Sequence, residues 1–382
     1  MSDNLPIEMQ MEIIQRIPDI KLVAHYRFVS KAWKSVIDSN EFVAAHALRH
    51  QANDRLLIRT RDRRDGKVKY VSIVDDDTFP NQKVSVFVPD SVNKFSHDSI
   101  IVGSCHGLFC LYDDKTSTAA IWNPAIRKII DVAVPNMIRE KYYRTFVGFG
   151  LCPDNLEPKL VKITYVSDWS KLEDVNTSTQ VEVFTLSSGG IWRSPLSGNV
   201  PHKSMRFGCT QAVVDGFIYW DAMDRINMDD RTRNTKLIMS FNLTTEEFTK
   251  VNLPKSLALD PYADLYVSNL RDSLAVLKFD MYAQRDFCNV WMMTGHGCTR
   301  SFNWLYCIYV PATLIRTTLG FRKNGAPIIE LENVSDDFFN IENELSIYDP
   351  ESKSITHIGI HGLEGKFFAH SYKETLLLLG QQ

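Results

Sequence analysis

The sequence lacks any long apolar run. No stretch approaches the roughly 18 apolar residues that a membrane-spanning helix needs, and its start shows neither a basic segment nor a compact apolar segment before a cleavage site. An excess of one charge is lacking too, because 43 Lys and Arg face 46 Asp and Glu, for a formal net charge of -3. The field of the whole chain therefore favours neither nucleic acid nor an anionic membrane as a partner. A cytoplasmic or nuclear protein is expected.

Cysteines are few, and their spacing suggests no pairing. The seven cysteines are scattered, odd in number, and form no Cys-x-x-Cys pair, which indicates reduced, buried thiols and not a disulfide framework. His46 and His50 stand four residues apart, but no third ligand lies nearby in the sequence, so no metal site is predicted.

Sequence motifs of catalysis are missing as well. The G-x-S-x-G nucleophile elbow and the Walker loop are absent, and the GFG at 148–150 and the GHG at 295–297 lack the third glycine of a dinucleotide site. Cys105 and His106 could suggest a nucleophile and its base, yet neighbouring residues of a strand point to opposite faces. We therefore predict no catalytic residue, no metal and no cofactor.

The densest cationic cluster is RTRDRRDGK at residues 59–67. Its flanks, RLLIRT and KYVSIV, are β-rich runs, and Asp62 and Asp65 interrupt the positive charge. The pattern favours a solvated loop between two strands over a nuclear-import signal or an RNA-binding patch.

Residues 5–18, LPIEMQMEIIQRIP, have the period of a helix with two apolar faces. Pro6 suits the first turn of this helix, and Pro18 ends it. A second helix is predicted from Lys21, and a third where Ser30 caps the run KAWKSVIDSNEF. Three helices are therefore predicted within about the first 45 residues.

A module of this size has too little interior for two apolar faces. Below roughly 40 to 60 residues, a domain usually needs disulfides, a metal or a partner. One face can form the small internal core, and the other must meet another surface. Periodicity leaves two candidates open for that surface, namely a partner protein and the large domain of the same chain.

From about residue 55 the period changes from helical to strand-like. Short β-rich runs such as GLFCLY, KLVKITYV and GFIYW are separated by clusters of Gly, Pro, Asp, Asn or Ser. Four segments repeat one outline, and aromatic markers lie 62, 57, 50 and 57 residues apart. Such spacings indicate propeller blades of four strands each, with loop insertions. The markers are Trp122, Phe184, Phe241, Trp291 and Tyr348.

The predicted fold class is a multidomain α+β protein, with a small three-helix domain at residues 1–50 and an all-β propeller of about six blades at residues 51–382. Because a propeller must close its ring, the apolar tail at residues 366–379 is expected to add a strand to the blade that begins near Arg55. An open sandwich and two smaller β domains remain alternatives.

The motifs of the helical segment resemble an F-box. The resemblance rests on LP at residues 5–6, IIQRIP at 13–18 and RFVSKAWKSVIDSNEF at 27–42. It departs mildly at Ile14 and Ile17, where leucine is usual, and these changes preserve apolar character and volume. An F-box implies docking on a Skp-type adaptor, which is carried by a cullin scaffold whose other end recruits a ubiquitin-charged enzyme. The residues that the resemblance assigns to this interface or to its immediate support are Leu5, Pro6, Ile13, Ile14, Ile17, Pro18, Leu22, Val23, Val29 and Trp33.

Residues from about 100 to 310 resemble the F-box-associated domain of plant F-box proteins, and the resemblance continues more weakly to the end. It rests on GLFCL, WNPAIRK, VGFGLCPD, SGGIWR, DGFIYW and SFNLTTEEFTKVNLP. After GFGLCPD the family often has Asp-Asp-Tyr-Lys-Val, whereas this chain has NLEPKLVK, which leaves the local turn open. The group includes the self-incompatibility (S-locus) F-box proteins of pollen, and it implies a kelch-like β-propeller.

Together the two resemblances imply a non-catalytic substrate-recognition subunit of a Skp–cullin–F-box ubiquitin ligase. Such a subunit acts by placement, because it raises the effective concentration of activated ubiquitin at the target's lysines. The implied partners are a Skp-type adaptor, a cullin through it, and an unknown target protein, with no nucleic acid and no membrane. Two alternatives stay open: a β-propeller enzyme or carbohydrate-binding protein with a helical lid, and an F-box protein that delivers nothing.

Propellers usually bind their ligands across one rim, through the loops that join strands. Aromatic and basic residues in long connections are therefore the predicted target contacts, whereas Trp122, Trp220 and Trp291 are expected to pack within blades. The predicted target contacts are Arg139, Lys141, Tyr142, Tyr143, Arg144, Trp169, Arg225 and Arg231.

Overall fold

The computed structural model describes residues 5–49, 54–95, 100–135, 143–166, 179–228, 231–280, 287–295, 300–311, 313–332 and 343–380. In these ranges, short helices come first and a ring of antiparallel sheets follows. The predicted fold class, helices followed by a propeller of six blades, is confirmed. None of the helices in these ranges is both long and apolar enough to cross a bilayer.

The first helices form a helical module, residues 5–49, with one helix more than predicted. Ser30 caps the third helix as expected, because its Oγ accepts a hydrogen bond from the Trp33 N–H at 3.1 Å. The predicted run of residues 31–42 is divided, since Ser39 Oγ accepts from the Phe42 N–H at 3.2 Å and so caps a new helix. The four helices are α1 (Ile7–Gln15), α2 (Ile20–Tyr26), α3 (Lys31–Ile37) and α4 (Asn40–Arg49).

The strands form six blades, each an antiparallel sheet of four strands that are named from the inner to the outer one. Blade 1 comprises β24 (Phe368–Tyr372), β1 (Arg55–Arg61), β2 (Val68–Val74) and β3 (Lys83–Ser85), and blade 2 comprises β4 (Ile100–Cys105), β5 (Leu108–Asp113), β6 (Thr118–Asn123) and β7 (Lys128–Ala133). Blade 3 comprises β8 (Tyr143–Leu151), β9 (Pro158–Val166), β10 (Gln180–Thr185) and β11 (Trp192–Arg193), and blade 4 comprises β12 (Met205–Val214), β13 (Phe217–Met228), β14 (Arg231–Asn242) and β15 (Phe248–Val251). Blade 5 comprises β16 (Ala263–Leu270), β17 (Ser273–Asp280), β18 (Phe287–Thr294) and β19 (Ser301–Tyr309), and blade 6 comprises β20 (Ile315–Phe321), β21 (Pro327–Leu331), β22 (Asn343–Tyr348) and β23 (Ile355–Gly362). Two short helices, α5 (Asp90–Asn93) and α6 (Lys255–Ala258), lie in connections between blades.

The aromatic markers of the sequence occupy equivalent places in the ring. Each lies on the third strand of its blade, from β6 to β22. Trp122 and Trp220 are buried as expected, and Trp291 is half-buried against the core between blades 4 and 5. The spacing of the markers is therefore the spacing of the blades.

The ring closes between the two ends of the propeller sequence. Strand β24 pairs with β1 in antiparallel register, from Arg55 opposite Tyr372 to Arg59 opposite Phe368. This pairing confirms the closing strand predicted from residues 366–379. It joins segments more than 300 residues apart, so blade 1 forms only when both are present.

Apolar clusters fill the space between neighbouring blades. The cluster of blades 3 and 4 is typical, because Val161 and Ile163 of β9 pack against the Phe207 and Trp220 side of the next blade. The cluster between blades 2 and 3 differs from the others. It extends beyond the sheets into the helical module and into a leucine segment, Leu376 to Leu379, that follows the closing strand.

Candidate functional site

The inner side of the helical module joins the propeller core. Ile14 of α1, Val23 of α2 and Ile37 of α3 are each at most 2% exposed, and they share one cluster with the leucine segment. Partly buried Ala125 and Ile126, from the turn after β6, pack against the same cluster. One of the two apolar faces predicted from periodicity is therefore covered by the large domain of the same chain.

A buried asparagine anchors the leucine segment to blade 2. The Asn123 Nδ2 donates to the carbonyls of Thr375 at 3.0 Å and Leu377 at 2.8 Å, and its Oδ1 accepts from the Ala125 N–H. Gly107 permits the close approach of this segment, because it has a φ of 80° and a Cβ there would overlap the Lys373 carbonyl. The motifs WNPAIRK and HGLFCL therefore form part of the propeller surface on which the helical module packs.

The helical module also contacts the chain just beyond the leucine segment. A Cβ on Gly380 would overlap the Asp38 carbonyl, so the backbones of these two residues meet directly. Asp38 in turn accepts a hydrogen bond at 2.8 Å from Arg27, which joins the end of α3 to the end of α2. A cavity of about 410 Å³ lies at this junction, between α4, the turn after β8 and the leucine segment.

The outer side of the helical module carries large apolar side chains in solvent. Met9 and Ile13 lie at i, i+4 along α1, and Leu5 precedes the helix. These three residues are 52%, 53% and 41% exposed. Hydrogen bonding of Trp33 Nε1 to Gln10 Oε1 at 2.8 Å fixes α1 against α3. We call six of the exposed apolar residues of the module the outer apolar residues: Leu5, Met9, Ile13, Leu22, Phe28 and Val29. Leu48 of α4 is exposed as well.

The structure separates the ten residues that the F-box resemblance grouped together. Ile14 and Val23 are buried, and Ile17 and Trp33 are half-buried against the internal cluster, so these four support the fold of the module. The remaining six are exposed: Leu5, Pro6, Ile13, Pro18, Leu22 and Val29.

Two outer apolar residues were not among the ten. Met9 lies one turn before Ile13 on the same face of α1, so its i, i+4 spacing is a signal that the motif comparison passes over. Phe28 is 82% exposed in the turn that follows α2. Because Phe28 lies in a turn, helical periodicity could not have identified it. Its size and apolar character are the only sequence signals of a contact residue.

The helical module packs against one of the two ends of the propeller. Because strands of a blade alternate in direction, the turns after its first and third strands lie at one end, and the remaining connections lie at the other. The helical module packs on the turns at residues 124–127 and 152–157, which follow a third and a first strand. We call this the proximal end and the opposite one the distal end, about 20 Å away for a strand of six residues.

The predicted target contacts that the structure describes all lie at the distal end. Tyr143 and Arg144 begin β8, the inner strand of blade 3, and Arg225 lies near the end of β13. Arg231 begins β14 and stands opposite Met228 in the register. Arg139, Lys141, Tyr142 and Trp169 lie outside the described residues. Their role in target binding stays a prediction.

Arginine and aromatic side chains meet at the distal end of blades 3 and 4. The Arg206 guanidinium lies over the Tyr165 ring, with its Cζ 5.4 Å from the ring centroid. Arg144 stands directly opposite Tyr165 in the pairing of β8 with β9. Neither Tyr165 nor Arg206 was predicted, because each lies inside a strand and no loop signal marks it. Arginine and tyrosine, with tryptophan, are enriched among the residues that dominate protein–protein interfaces. Tyr165 itself is buried, so Arg144 is the exposed member of this group.

A serine, a histidine and an aspartate come together in blade 4, in an order that does not suit catalysis. The Ser204 hydroxyl donates to Asp224, and His202 Nδ1 lies 2.8 Å from the Ser204 Oγ. Lys250 donates to the second oxygen of Asp224 at 2.7 Å, and these hydrogen bonds lower the carboxyl pKa although its burial acts against them. In a hydrolytic triad the aspartate orients the histidine. Here it holds the serine, so the group anchors the connection that precedes β12.

A second carboxylate with a shifted pKa is enclosed by the inner strand. Burial raises the pKa of Asp221 to about 7, and Thr210 Oγ1 donates to it at 3.0 Å. A Cβ on Gly208 would overlap the Asp221 carboxylate, so the backbone covers this group directly. The same hydroxyl of Thr210 accepts from the Val267 N–H of blade 5. The arrangement links blades 4 and 5 and leaves no space for a substrate on this side of the carboxylate.

His46, for which no metal was predicted, makes a hydrogen bond within the helical module. The Nε2 of His46 lies 2.9 Å from the Ile17 carbonyl and joins α4 to the end of α1. His50 lies outside the described residues. Within the described part of the chain, no three His, Cys, Asp or Glu side chains are grouped as they would be around a metal ion.

Two family models match the chain, and together they span most of it. The model of the F-box domain matches residues 2–44. The model described as the F-box associated beta propeller domain matches residues 55–380. The chain belongs to the F-box associated beta propeller family. The helical module is its F-box, and the six blades are its F-box associated propeller.

Relatives named as F-box proteins match nearly the whole chain. The F-box protein At3g07870 of Arabidopsis thaliana is 23% identical, over 98% of this chain and 92% of its own. The putative F-box protein At1g70960 of the same plant is 23% identical, over 94% of this chain and 93% of its own. The recognition as an F-box protein of the plant type is confirmed.

Solved structures are similar to the chain only at a distance. A polysaccharide lyase of family PL25, an ulvan lyase, is 11% identical, with a TM-score of 0.41 over 76% of this chain and 72% of its own. A TM-score and an identity this low say nothing about activity.

Proposed function

We propose that this chain is the substrate-recognition subunit of a Skp–cullin–F-box ubiquitin ligase. The F-box docks on a Skp-type adaptor, the adaptor joins it to a cullin, and the distal end of the propeller captures a target protein. One observation carries the proposal: the inner apolar face of the F-box is covered by the propeller, whereas the outer apolar residues stand in solvent.

Physical chemistry explains why this surface calls for a partner. Burying a large apolar side chain contributes about 1.5 to 3 kcal/mol relative to leaving it exposed. The outer apolar residues include Phe28 at 82% and Val29 at 60% exposure, on a module of 45 described residues. An adaptor that covers them gains that free energy. The adaptor contacts of this proposal are the outer apolar residues together with Pro6 and Pro18, and the buried members of the predicted ten support them.

The proposed mechanism is placement, without catalysis by this chain. The adaptor and cullin attach at the F-box, on the proximal side of the ring, and the target attaches at the distal end, near Arg144 and Arg225. Holding the target and activated ubiquitin on one scaffold raises their effective concentration. The proposal divides the chain into the F-box at residues 1–50 and the propeller at residues 51–382, and it places the protein in the cytoplasm or the nucleus.

A pull-down with purified adaptor tests the proposal. The full chain is compared with the variant Ile13→Asp/Val29→Asp, which changes two outer apolar residues that are 53% and 60% exposed. The control is Ile191→Asp/Leu196→Asp, with residues 67% and 69% exposed on the propeller. We expect the first variant to lose adaptor affinity by at least tenfold, roughly the effect of unpairing one interface hot spot, and the control to bind as the unchanged chain does.

Two results would count against the ligase assignment. The first is a full chain that does not bind the adaptor at all. The second is undiminished binding by Ile13→Asp/Val29→Asp, with circular dichroism unchanged in both variants. Buried Ile14 is unsuited to this test, because its truncation would damage the F-box core as well as any interface.

A further inference from the structure

The hairpin tip that joins β1 to β2 carries a concentrated positive charge at the distal end. It contains most of the densest cationic cluster of the sequence, and we call residues 61–69 the basic hairpin. Its acidic members are Asp62 and Asp65. Its cationic members are Arg61, which is half-buried, and Arg63, Arg64, Lys67 and Lys69, which are exposed.

Both carboxylates of the basic hairpin are engaged in building the turn. Asp62 Oδ1 accepts from the Arg64 N–H at 2.7 Å, and Asp65 Oδ1 accepts from the Lys67 N–H at 2.9 Å. The other oxygen of Asp62 binds Lys69 Nζ at 2.5 Å, and this hydrogen bond lowers the pKa of the Asp62 carboxyl. The carboxylates of Asp62 and Asp65 are therefore occupied by backbone N–H groups and by Lys69. The side chains of Arg64 and Lys67 are exposed at the tip of the hairpin.

The turn is held in one shape and fixed to the ring. The Asp62 N–H donates to the Lys67 carbonyl at 2.9 Å, and Arg61 Nε donates to the Gly66 carbonyl at 3.1 Å. Blade 6 holds the base of the hairpin, because the Leu363 N–H donates to the Arg61 carbonyl at 3.0 Å. Because the backbone of the turn is already ordered, binding by its cations carries no further cost of ordering the backbone, which favours association.

We propose that the basic hairpin is a docking surface for an acidic segment of the target protein. The charge of this surface is opposite to the net charge of -3 of the chain, so it marks one place where an acidic polypeptide is attracted. A short acidic segment can be covered by the hairpin alone, whereas nucleic acid or an anionic membrane would also meet the neighbouring surface of a chain whose net charge is -3. The inference rests on the proposed function, since it names the class of target segment that the distal end receives.

Fluorescence anisotropy with a labelled polyglutamate peptide tests the inference on the full chain at low ionic strength. The test variant is Arg64→Glu/Lys67→Glu. The matched control is Arg271→Glu/Lys353→Glu, which makes the same change in net charge at exposed turns of the proximal end. We expect the test variant to bind the peptide about tenfold more weakly, the combined effect of reversing two exposed charges, and the control to bind as the unchanged chain does. Added salt weakens binding by the unchanged chain.

Equal peptide binding by the test variant and the unchanged chain would overturn the inference. So would binding to a short DNA duplex or to phosphatidylserine vesicles that is tighter than peptide binding and is lost in the test variant. The adaptor pull-down reports separately on the proposed function. If the chain binds the adaptor but not the peptide, the inference about the hairpin is wrong and the proposed function is unaffected.

Discussion

At the scale of single residues, Glu246 shows how a fully buried charge joins two blades. Its carboxylate accepts from both terminal nitrogens of Arg193, at 2.6 and 2.7 Å, and from Lys159 Nζ at 2.8 Å. A fourth hydrogen bond comes from the Leu196 N–H. Burial alone would raise the pKa of Glu246, yet the hydrogen bonds from Arg193 and Lys159 outweigh it and lower the pKa to about 2.

Replacing Glu246 with Gln should destabilise the propeller by about 3 kcal/mol, because Lys159 would stay buried without its counter-charge. The neighbouring variant Glu247→Gln, at an exposed position of the same turn, is the control and should change the free energy of unfolding little. Chemical denaturation near neutral pH measures both. Similar values for the two variants would show that the buried ion pair adds nothing to stability.

The lowered pKa of Glu246 also predicts the direction of a pH effect. A carboxyl whose pKa falls from 4.5 in the unfolded chain to about 2 in the folded one stabilises the fold above about pH 4.5. That stabilisation is lost as the pH falls from about 4.5 to 2. The difference in stability between the unchanged chain and Glu246→Gln should therefore shrink over this interval, and a constant difference would contradict the assignment.

At the scale of elements, the sequence predicted repeats better than it predicted boundaries. The five marker aromatics identified five third strands, and four of the five are buried there. The break between α3 and α4 was missed. Ser39 caps α4 within residues 31–42. The helical spacing of apolar residues continues across Ser39, so periodicity alone does not show that one helix ends and another begins there.

The cap at Ser39 can be tested as an element boundary. Ser39→Ala removes the acceptor for the Phe42 N–H and should cost about 1 kcal/mol of F-box stability. Ser35→Ala, at an exposed position within α3, is the matched control, and it should be neutral or slightly stabilising because alanine favours helix. Thermal unfolding followed by helical circular dichroism compares them. Equal midpoints would mean that α4 begins without help from this hydroxyl.

At the scale of the whole molecule, the sequence left open which surface covers the second apolar face of the F-box. Periodicity showed two faces but could not assign them, because the inner face is covered by the leucine segment, more than 300 residues further along the chain. In the sequence, Asn123 is marked only as a member of the WNPAIRK motif. Its hydrogen bonds to the carbonyls of Thr375 and Leu377 are seen only in the folded chain. Side-chain roles of this kind depend on contacts that no local pattern encodes.

The leucine segment therefore fixes the F-box to the propeller. Each of its four leucines is at most 8% exposed, and burial of each contributes about 2 kcal/mol. A chain that ends at Thr375 keeps the closing strand β24 and should keep its β circular dichroism. Its F-box, however, should separate from the ring.

Cleavage by trypsin after Arg49, at the end of α4, reports that separation. We expect it to be at least roughly tenfold faster in the chain that ends at Thr375 than in the full chain, because cleavage follows the population of the opened state. A chain that ends at Gly380 retains the leucines and the contact with Asp38, and it should be cleaved at the rate of the full chain. If the shorter chain resists trypsin equally, contacts of α4 with the turn at 152–157 hold the F-box without the leucine segment. In that case, the anchor at Asn123 serves ring closure and not the placement of the adaptor.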